Sequence, residues 1–247
     1  MRRTALAALC VAAAATVTLT GCLPGGDEAG KGAPFAGLSG GEIAERAMKA
    51  TKGAASLRLK GDVPDQASGG SIRIDMALDT KGDCAGSLGM NGDGEIELIK
   101  TGDTVYMKYD EALVRSQGEG QSKAEVDMAV QMLAGKWVKA DASGAEGKEL
   151  TGFCDLGTLL AEFDDSGTNA ERGDITEIGG VPAIALDEKD GKGDATAYVA
   201  TEGEPYFLRL VSKDPEVPGD LTFSDYDEPV PSEAPKGEVL DLDELGA

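Results

Sequence analysis

The sequence contains no histidine among its 247 residues. Without histidine the chain has no Ser-His or Cys-His nucleophile pair, no histidine general base and no His-ligated zinc. Basic residues are also scarce, since 23 Lys and Arg face 45 Asp and Glu and give a formal net charge of −22. So acidic a chain, with no basic cluster, is unsuited to following a phosphate backbone. Nucleic acid is therefore not an expected partner.

Aromatic residues make up only 4% of the chain, and no apolar run is long enough to cross a bilayer as a helix, which takes about 20 residues. The 41% of hydrophobic residues suffices for one sizeable core. The apolar stretch from Ala5 to Leu19 follows two arginines, as in a secretory signal peptide. It ends in Leu-Thr-Gly-Cys22, which resembles the lipobox of bacterial lipoproteins.

The lipobox resemblance implies that residues 1–21 are a signal peptide and that the mature chain begins at Cys22. Acyl chains such as palmitate on this cysteine would anchor the protein to the outer face of the cell membrane. Residues 22–37 are rich in Gly and Pro and are predicted to be a flexible tether.

The chain has four cysteines, of which Cys10 would leave with the signal peptide and Cys22 would be acylated. Cys84 and Cys154 remain, and outside the cytoplasm they are predicted to form a disulfide. Such a bond closes a loop of about 70 residues and stabilises the fold by about 4 kcal/mol in the chain-entropy model. The alternatives are a metal pair, which lacks CxxC spacing, and two buried unpaired thiols.

Helices and strands are predicted to lie in separate parts of the chain. Ser39 and Glu42 form a capping box that starts a helix ending near Lys52. Alternating apolar residues then predict strands to about Tyr109, two inserted helices, and further strands from Asp174 to Tyr226. This order indicates an α+β fold, an antiparallel sheet with helices against one face, over residues 38–228. Residues 229–247 are predicted to be an acidic C-terminal tail.

Several short motifs occur in a fixed order across this domain. After the capped helix at Leu38 come Ile-Gly-Gly-Val-Pro-Ala at 178–183, Ala-Tyr-Val-Ala-Thr-Glu-Gly-Glu-Pro at 197–205, and Phe-Ser-Asp-Tyr at 223–226 with Pro229-Val230 and Pro235 beyond. Together with the lipobox they resemble the LppX/LprAFG group of bacterial lipoproteins, which share the LolA fold. The resemblance implies a half-open antiparallel β-sheet wrapped around helices, with acylated glycolipids or phospholipids bound in the hollow. The many acidic residues and glycines depart from that group.

Apolar positions on the predicted strands and helices would share one face, and they are the candidates for lining a lipid cavity: Ile72, Ile74, Met76, Leu78, Val105, Met107, Val126, Val130, Leu156 and Leu160. The alternative interpretation of the same residues is an ordinary packed core.

The function expected from these features is a membrane-anchored extracytoplasmic lipoprotein that binds or carries lipid or acylated glycolipid and needs no enzymatic activity or cofactor. The alternative is a noncatalytic envelope scaffold whose acidic surface binds a basic partner. Two acidic glycine-containing loops, 91–95 and 187–191, fail the EF-hand spacing, so no metal site is predicted, although weak calcium binding is left open.

Overall fold

A computed structural model describes residues 34–65, 70–90, 92–161, 169–189, 194–213 and 219–245. Six α-helices and one 3₁₀ turn lie within these ranges: α1 (Gly40–Gly53), α2 (Glu111–Gln117), α3 (Lys123–Leu133), α4 (Ala145–Thr151), the 3₁₀ turn Gly152–Cys154, α5 (Leu156–Ala161) and α6 (Leu242–Leu245). Helix α1 confirms the capped helix predicted to end near Lys52. Helices α3 and α5 confirm the two inserted helices, predicted from about Lys123 to Leu133 and after Asp155, whereas α2, α4 and α6 were not predicted.

Twelve strands form one sheet: β1 (Ser56–Asp65), β2 (Gly70–Asp79), β3 (Cys84–Met90), β4 (Gly94–Thr101), β5 (Thr104–Tyr109), β6 (Trp137–Asp141), β7 (Glu171–Ile178), β8 (Val181–Lys189), β9 (Asp194–Ala200), β10 (Phe207–Ser212), β11 (Gly219–Ser224) and β12 (Val239–Asp241). Their spatial order is β12-β6-β5-β4-β3-β2-β1-β11-β10-β9-β8-β7. Neighbours are antiparallel except β12, which pairs with β6 in parallel.

The sheet consists of two meanders joined at their first and last strands. Strands β1 to β6 form one meander, β7 to β11 form the other, and β1 pairs with β11 through partners such as Leu59 and Phe223. The end strands β12 and β7 do not pair with each other, so the sheet remains open. This arrangement confirms the predicted α+β class with a half-open antiparallel sheet.

One hydrophobic core lies between the helices and one face of the sheet. Helix α1 contributes Ile43 and Ala47, both without accessible surface, and packs over β7 to β10. On the strands, every second residue points into this core. Leu57 and Leu59 of β1 are buried there, whereas Lys60 is exposed on the opposite face, the outer face of the sheet.

The predicted disulfide is confirmed. Cys84 begins β3 and Cys154 ends the 3₁₀ turn before α5, and their Cα atoms lie 5.3 Å apart. Both side chains are buried in the core. The bond therefore fixes the α4–α5 segment to the strand from which it is separated by 70 residues.

The predicted domain boundaries, 38 and 228, are too narrow at both ends. Residues 34–37 form a turn whose Pro34 and Phe35 carbonyls accept hydrogen bonds from the Arg172 guanidinium at 3.0 and 2.7 Å, so they are attached to the domain rather than to a free tether. In the predicted tail, Val239–Asp241 join the sheet as β12, where Lys139 Nζ lies 2.8 Å from Asp241 Oδ2. The signal peptide, Cys22 and the tether up to residue 33 lie outside the described residues.

Candidate functional site

Seven of the ten predicted cavity residues lie together in the core: Ile74, Met76, Leu78, Val105, Met107, Leu156 and Leu160. Met76, Leu78, Val105 and Met107 have no surface that a water molecule can reach. A side chain that has no accessible surface touches other protein atoms on all sides, and it does not face an open hollow. At these four positions the structure corresponds to the packed-core interpretation.

The other three predicted residues lie at the margin of the core. Ile72 on β2 is half-buried and packs against the core cluster, while Val126 and Val130 are half-buried on α3. These two valines do not join the core cluster, so the structure does not place all ten residues in one site.

Helix α3 is amphipathic, yet none of its residues is buried. Its Val126 side chain lies beside Gly118 at the end of α2, where an added Cβ would come within 2.8 Å of Val126 Cγ2. On its exposed side Met128 and Met132 keep 62% and 47% of their surface accessible. Met128 and Met132 thus add exposed apolar surface to α3 outside its apolar stripe.

Polar contacts hold α3 to α2 rather than to the sheet. Arg115 on α2 donates to Glu111 Oε1 at 2.8 Å and to Asp127 Oδ1 of α3 at 3.0 Å. The hydrogen bond from Arg115 and a second one from Lys123 lower the pKa of the Asp127 carboxyl. All these groups are solvent-exposed or nearly so, and exposed ion pairs stabilise weakly. These polar contacts therefore hold α3 only weakly.

A second feature, absent from the sequence predictions, is a cleft of about 800 Å³ on the outer face of the sheet. We call it the outer cleft. It is lined by residues of β1, β7 to β11 and their connecting turns, including Lys60, Asp62, Glu177, Ile178, Val181, Ala200, Glu202, Glu204, Tyr206, Leu208, Arg209, Asp220, Thr222, Asp225 and Tyr226.

The floor of the outer cleft has a small apolar cluster of its own. Ala183, Ala200 and Leu208 are buried in it, and Ile178 and Tyr198 pack against them. The signal in the sequence was the apolar residues on both alternating faces of β8 to β10, which predict strands covered on two sides. Only one apolar face of the sheet was predicted, so the cleft was not expected.

The two cations of the outer cleft are ion-paired. Arg209 Nε donates to Asp220 Oδ1 at 2.7 Å, with a second bond from the guanidinium to Oδ2, and this pairing lowers the pKa of Asp220. Lys60 Nζ donates to Asp75 Oδ2 at 2.9 Å, beside the cleft. Carboxylates outnumber cations in the lining by six to two.

Two stacked tyrosines close one end of the cleft, with ring centroids 4.0 Å apart. The Tyr226 hydroxyl donates to the Phe207 carbonyl at 2.5 Å, and that of Tyr206 donates to Asp227 Oδ2 at 2.9 Å. Burial raises the pKa of Tyr226 far above its ordinary value. Burial is also the main cause that raises the pKa of Tyr206, and the hydrogen bond to Asp227 raises it further. Both rings are therefore neutral donors at physiological pH.

Within the described ranges no group of three or more Cys, Asp or Glu side chains is arranged to hold a metal ion. In the same part of the chain no helix has the length and apolarity needed to cross a membrane.

No family model and no curated protein matches this chain. Among solved structures, LprF from Mycobacterium bovis superposes with a TM-score of 0.52 at 17% identity, covering 80% of this chain and 97% of LprF. The lipoprotein LppX from Mycobacterium tuberculosis has a TM-score of 0.49 at 17% identity and covers 78% of this chain and 97% of LppX. At this identity the likeness establishes the fold: the chain has an LprF-type, LolA-like architecture, as the sequence motifs predicted.

Proposed function

We propose that this chain is an extracytoplasmic lipoprotein anchored by acyl chains on Cys22. The protein would hold a lipid chain between α3 and the adjoining edge of the core. The LprF-type fold supports this role, together with the signal peptide and lipobox of the sequence. The role needs no catalytic residue and no cofactor.

The observation that carries the proposal is the state of α3, an amphipathic helix with no buried residue and two exposed methionines. An acyl chain inserted under α3 would replace its few contacts with the core and gain about 0.8 kcal/mol for each methylene group it buries. The packed positions Met76, Leu78, Val105 and Met107 offer no comparable room. The lipid site is therefore placed at the margin of the core, nearer to Val126 and Val130 than to the centre of the sheet.

Met128 and Met132 lie on the exposed side of α3, away from that margin, and their unbranched side chains adapt to irregular apolar partners. With both residues more than 45% exposed, they are also the first apolar surface that an approaching membrane or lipid would meet on this helix.

The test uses the mature chain, residues 22–247 with Cys22→Ser, purified from its own host. Native mass spectrometry followed by organic extraction is expected to find a stoichiometric lipid. In an uptake assay with a phospholipid or glycolipid carrying a fluorescent acyl chain, Val130→Trp should fill the space under α3 and weaken binding about tenfold, or about 1.4 kcal/mol.

The matched control is Gln131→Trp, the exposed neighbour on the same helix, which should leave uptake unchanged. Circular dichroism checks that both variants fold. A purified chain that is empty and takes up neither labelled lipid contradicts the proposal, and so does equal uptake by the two tryptophan variants.

A further inference from the structure

The outer cleft lies on the face of the sheet opposite to the helices and is therefore separate from the lipid site proposed above. Lys60 and Thr222, which are paired across β1 and β11, line the cleft, whereas Leu59, the neighbour of Lys60 on β1, belongs to the helix-covered core. We propose that the outer cleft binds a basic, partly apolar segment of a partner protein.

The apolar part of the argument rests on the cleft floor. Ala200 and Leu208 are buried there beside Ile178, and Val181 on the rim keeps 37% of its surface exposed. A volume of about 800 Å³ lies within the usual range of ligand pockets, about 300–1,000 Å³. It accommodates a few side chains of a peptide.

The basic character of the occupant follows from the charges around the floor. The lining contains the carboxylates of Asp62, Glu177, Glu202, Glu204, Asp220 and Asp225. Against them stand only Lys60 and Arg209, so the cleft has a formal excess of four negative charges. A cleft walled by protein concentrates the field of such charges and attracts cations.

Lysine and arginine fit this combination of floor and rim. Their aliphatic stems can lie along apolar surface while the charged ends reach carboxylates. A guanidinium or ammonium group can in addition lie over an aromatic ring, and Tyr206 and Tyr226 supply aromatic surface at one end of the cleft.

The same charges argue against other occupants. A second copy of this chain carries a net charge of −22 and would be repelled at long range. An anionic lipid headgroup would meet the same excess of carboxylates. A basic segment of another protein has the complementary charge.

The test measures binding of a fluorescent synthetic peptide of alternating Lys and Leu or Val residues to the mature chain with Cys22→Ser, by fluorescence anisotropy at about 0.15 M salt. Two control peptides separate the contributions: one replaces Leu and Val by Gly and Ser, and the other replaces Lys by Glu. The first should bind more weakly than the probe, and the second should not bind.

Charge reversal locates the site. The double variant Glu177→Lys and Glu204→Lys reverses two exposed carboxylates of the cleft and should weaken probe binding at least about tenfold. The control double variant is Glu119→Lys with Glu233→Lys, which alters two exposed acidic residues that do not line the cleft. It changes the net charge by the same amount and should weaken probe binding less than about threefold. Val181→Ser removes apolar surface from the rim without adding a charge and should also weaken binding.

Equal losses in the two double variants would overturn the proposal, because the peptide would then follow overall charge. Failure of the probe to bind, or no effect of Val181→Ser, would also overturn it. Concentration-dependent self-association abolished by Val181→Ser, or binding to phospholipid vesicles abolished by that change, would assign the cleft to a second copy or a membrane instead. None of these outcomes depends on lipid uptake under α3.

Discussion

Helices α1 and α3 begin with the same N-terminal device but are held to the molecule in different ways. In each, a serine and a glutamate three residues later form a capping box, Ser39 with Glu42 and Ser122 with Glu125. The hydrogen bonds that the amide and hydroxyl of each serine donate to the carboxylate lower the pKa of both glutamates. Yet α1 buries five residues, whereas α3 buries none. A cap therefore decides where a helix begins, and the contacts of its apolar face decide how firmly it is held.

Small residues explain the firm attachment of α1. At the start of α1, Gly40 lies so close to the backbone that an added Cβ would come within 2.1 Å of the Ala170 carbonyl oxygen. Ala44 and Ala47 continue the close approach along the helix. Elements with few buried contacts open most readily, so α3 is the element that the proposed entry of a lipid should move.

The largest expected effect is the difference in stability lost when an apolar side chain is removed from α1 and from α3. Ile43→Ala on α1 removes a fully buried side chain and should lower the free energy of unfolding by about 3 kcal/mol. Val126→Ala on α3 removes a half-buried side chain and should cost less than about 1 kcal/mol. Urea denaturation of both variants measures the difference. Similar losses would show that α3 is as firmly packed as α1.

The second test concerns the polar contacts at the end of α1. The Phe207 amide donates to Thr51 Oγ1 of α1 at 3.1 Å, and the Tyr226 hydroxyl donates to the Phe207 carbonyl. Burial raises the pKa of Tyr226 in the folded chain. In the unfolded chain tyrosine ionises near pH 10, so the unfolded state binds fewer protons above that pH and stability falls as pH rises.

Between pH 8 and pH 11, the raised pKa of one such tyrosine lowers the free energy of unfolding by about 1.4 kcal/mol. Tyr226→Phe should therefore flatten the loss of stability between these values, as measured by urea denaturation at each pH. Tyr206→Phe should flatten it less, because the pKa of Tyr206 is raised to a smaller extent. An unchanged pH dependence in Tyr226→Phe would mean that the hydroxyl is open to solvent.

Local patterns in the sequence were sufficient for the fold class and for both capped helices. The Cys84–Cys154 pairing was predictable because the expected cleavage and acylation would leave only these two thiols, and the structure confirms the pairing. The order of the motifs between Leu38 and Pro235 indicated the LprF-type architecture, and the structure confirms it. Strand β12 was missed because Val239–Asp241 is short and acidic, and its pairing with β6 is a long-range contact.

The site was less predictable because burial depends on what lies opposite a residue. Met76 and Val130 are both apolar and both have the expected periodicity, but only Met76 is covered on all sides. On β10 the register shifts between Phe207 and Arg209, so Phe207 and Val211 do not share the face that strict alternation predicts. Such an irregularity has no marker in the local sequence, and it helps to place Leu208 in the outer cleft.

The smallest expected effect is the change in stability when the capping serine of each helix is removed. Ser39→Ala should lower the free energy of unfolding by about 1 kcal/mol, because α1 is part of the core and its loss unfolds the domain. Ser122→Ala removes the same hydroxyl from α3, but the rest of the domain does not depend on α3, so the global value should change by less than about 0.3 kcal/mol. Hydrogen exchange should instead become faster in α3 alone. If α3 opens to admit a lipid chain, Ser122→Ala should also speed lipid uptake, and Ser39→Ala should not. A global loss for Ser122→Ala equal to that for Ser39→Ala would show that the two helices belong to one cooperative unit, and the assignment of α3 as the moving element would then be wrong.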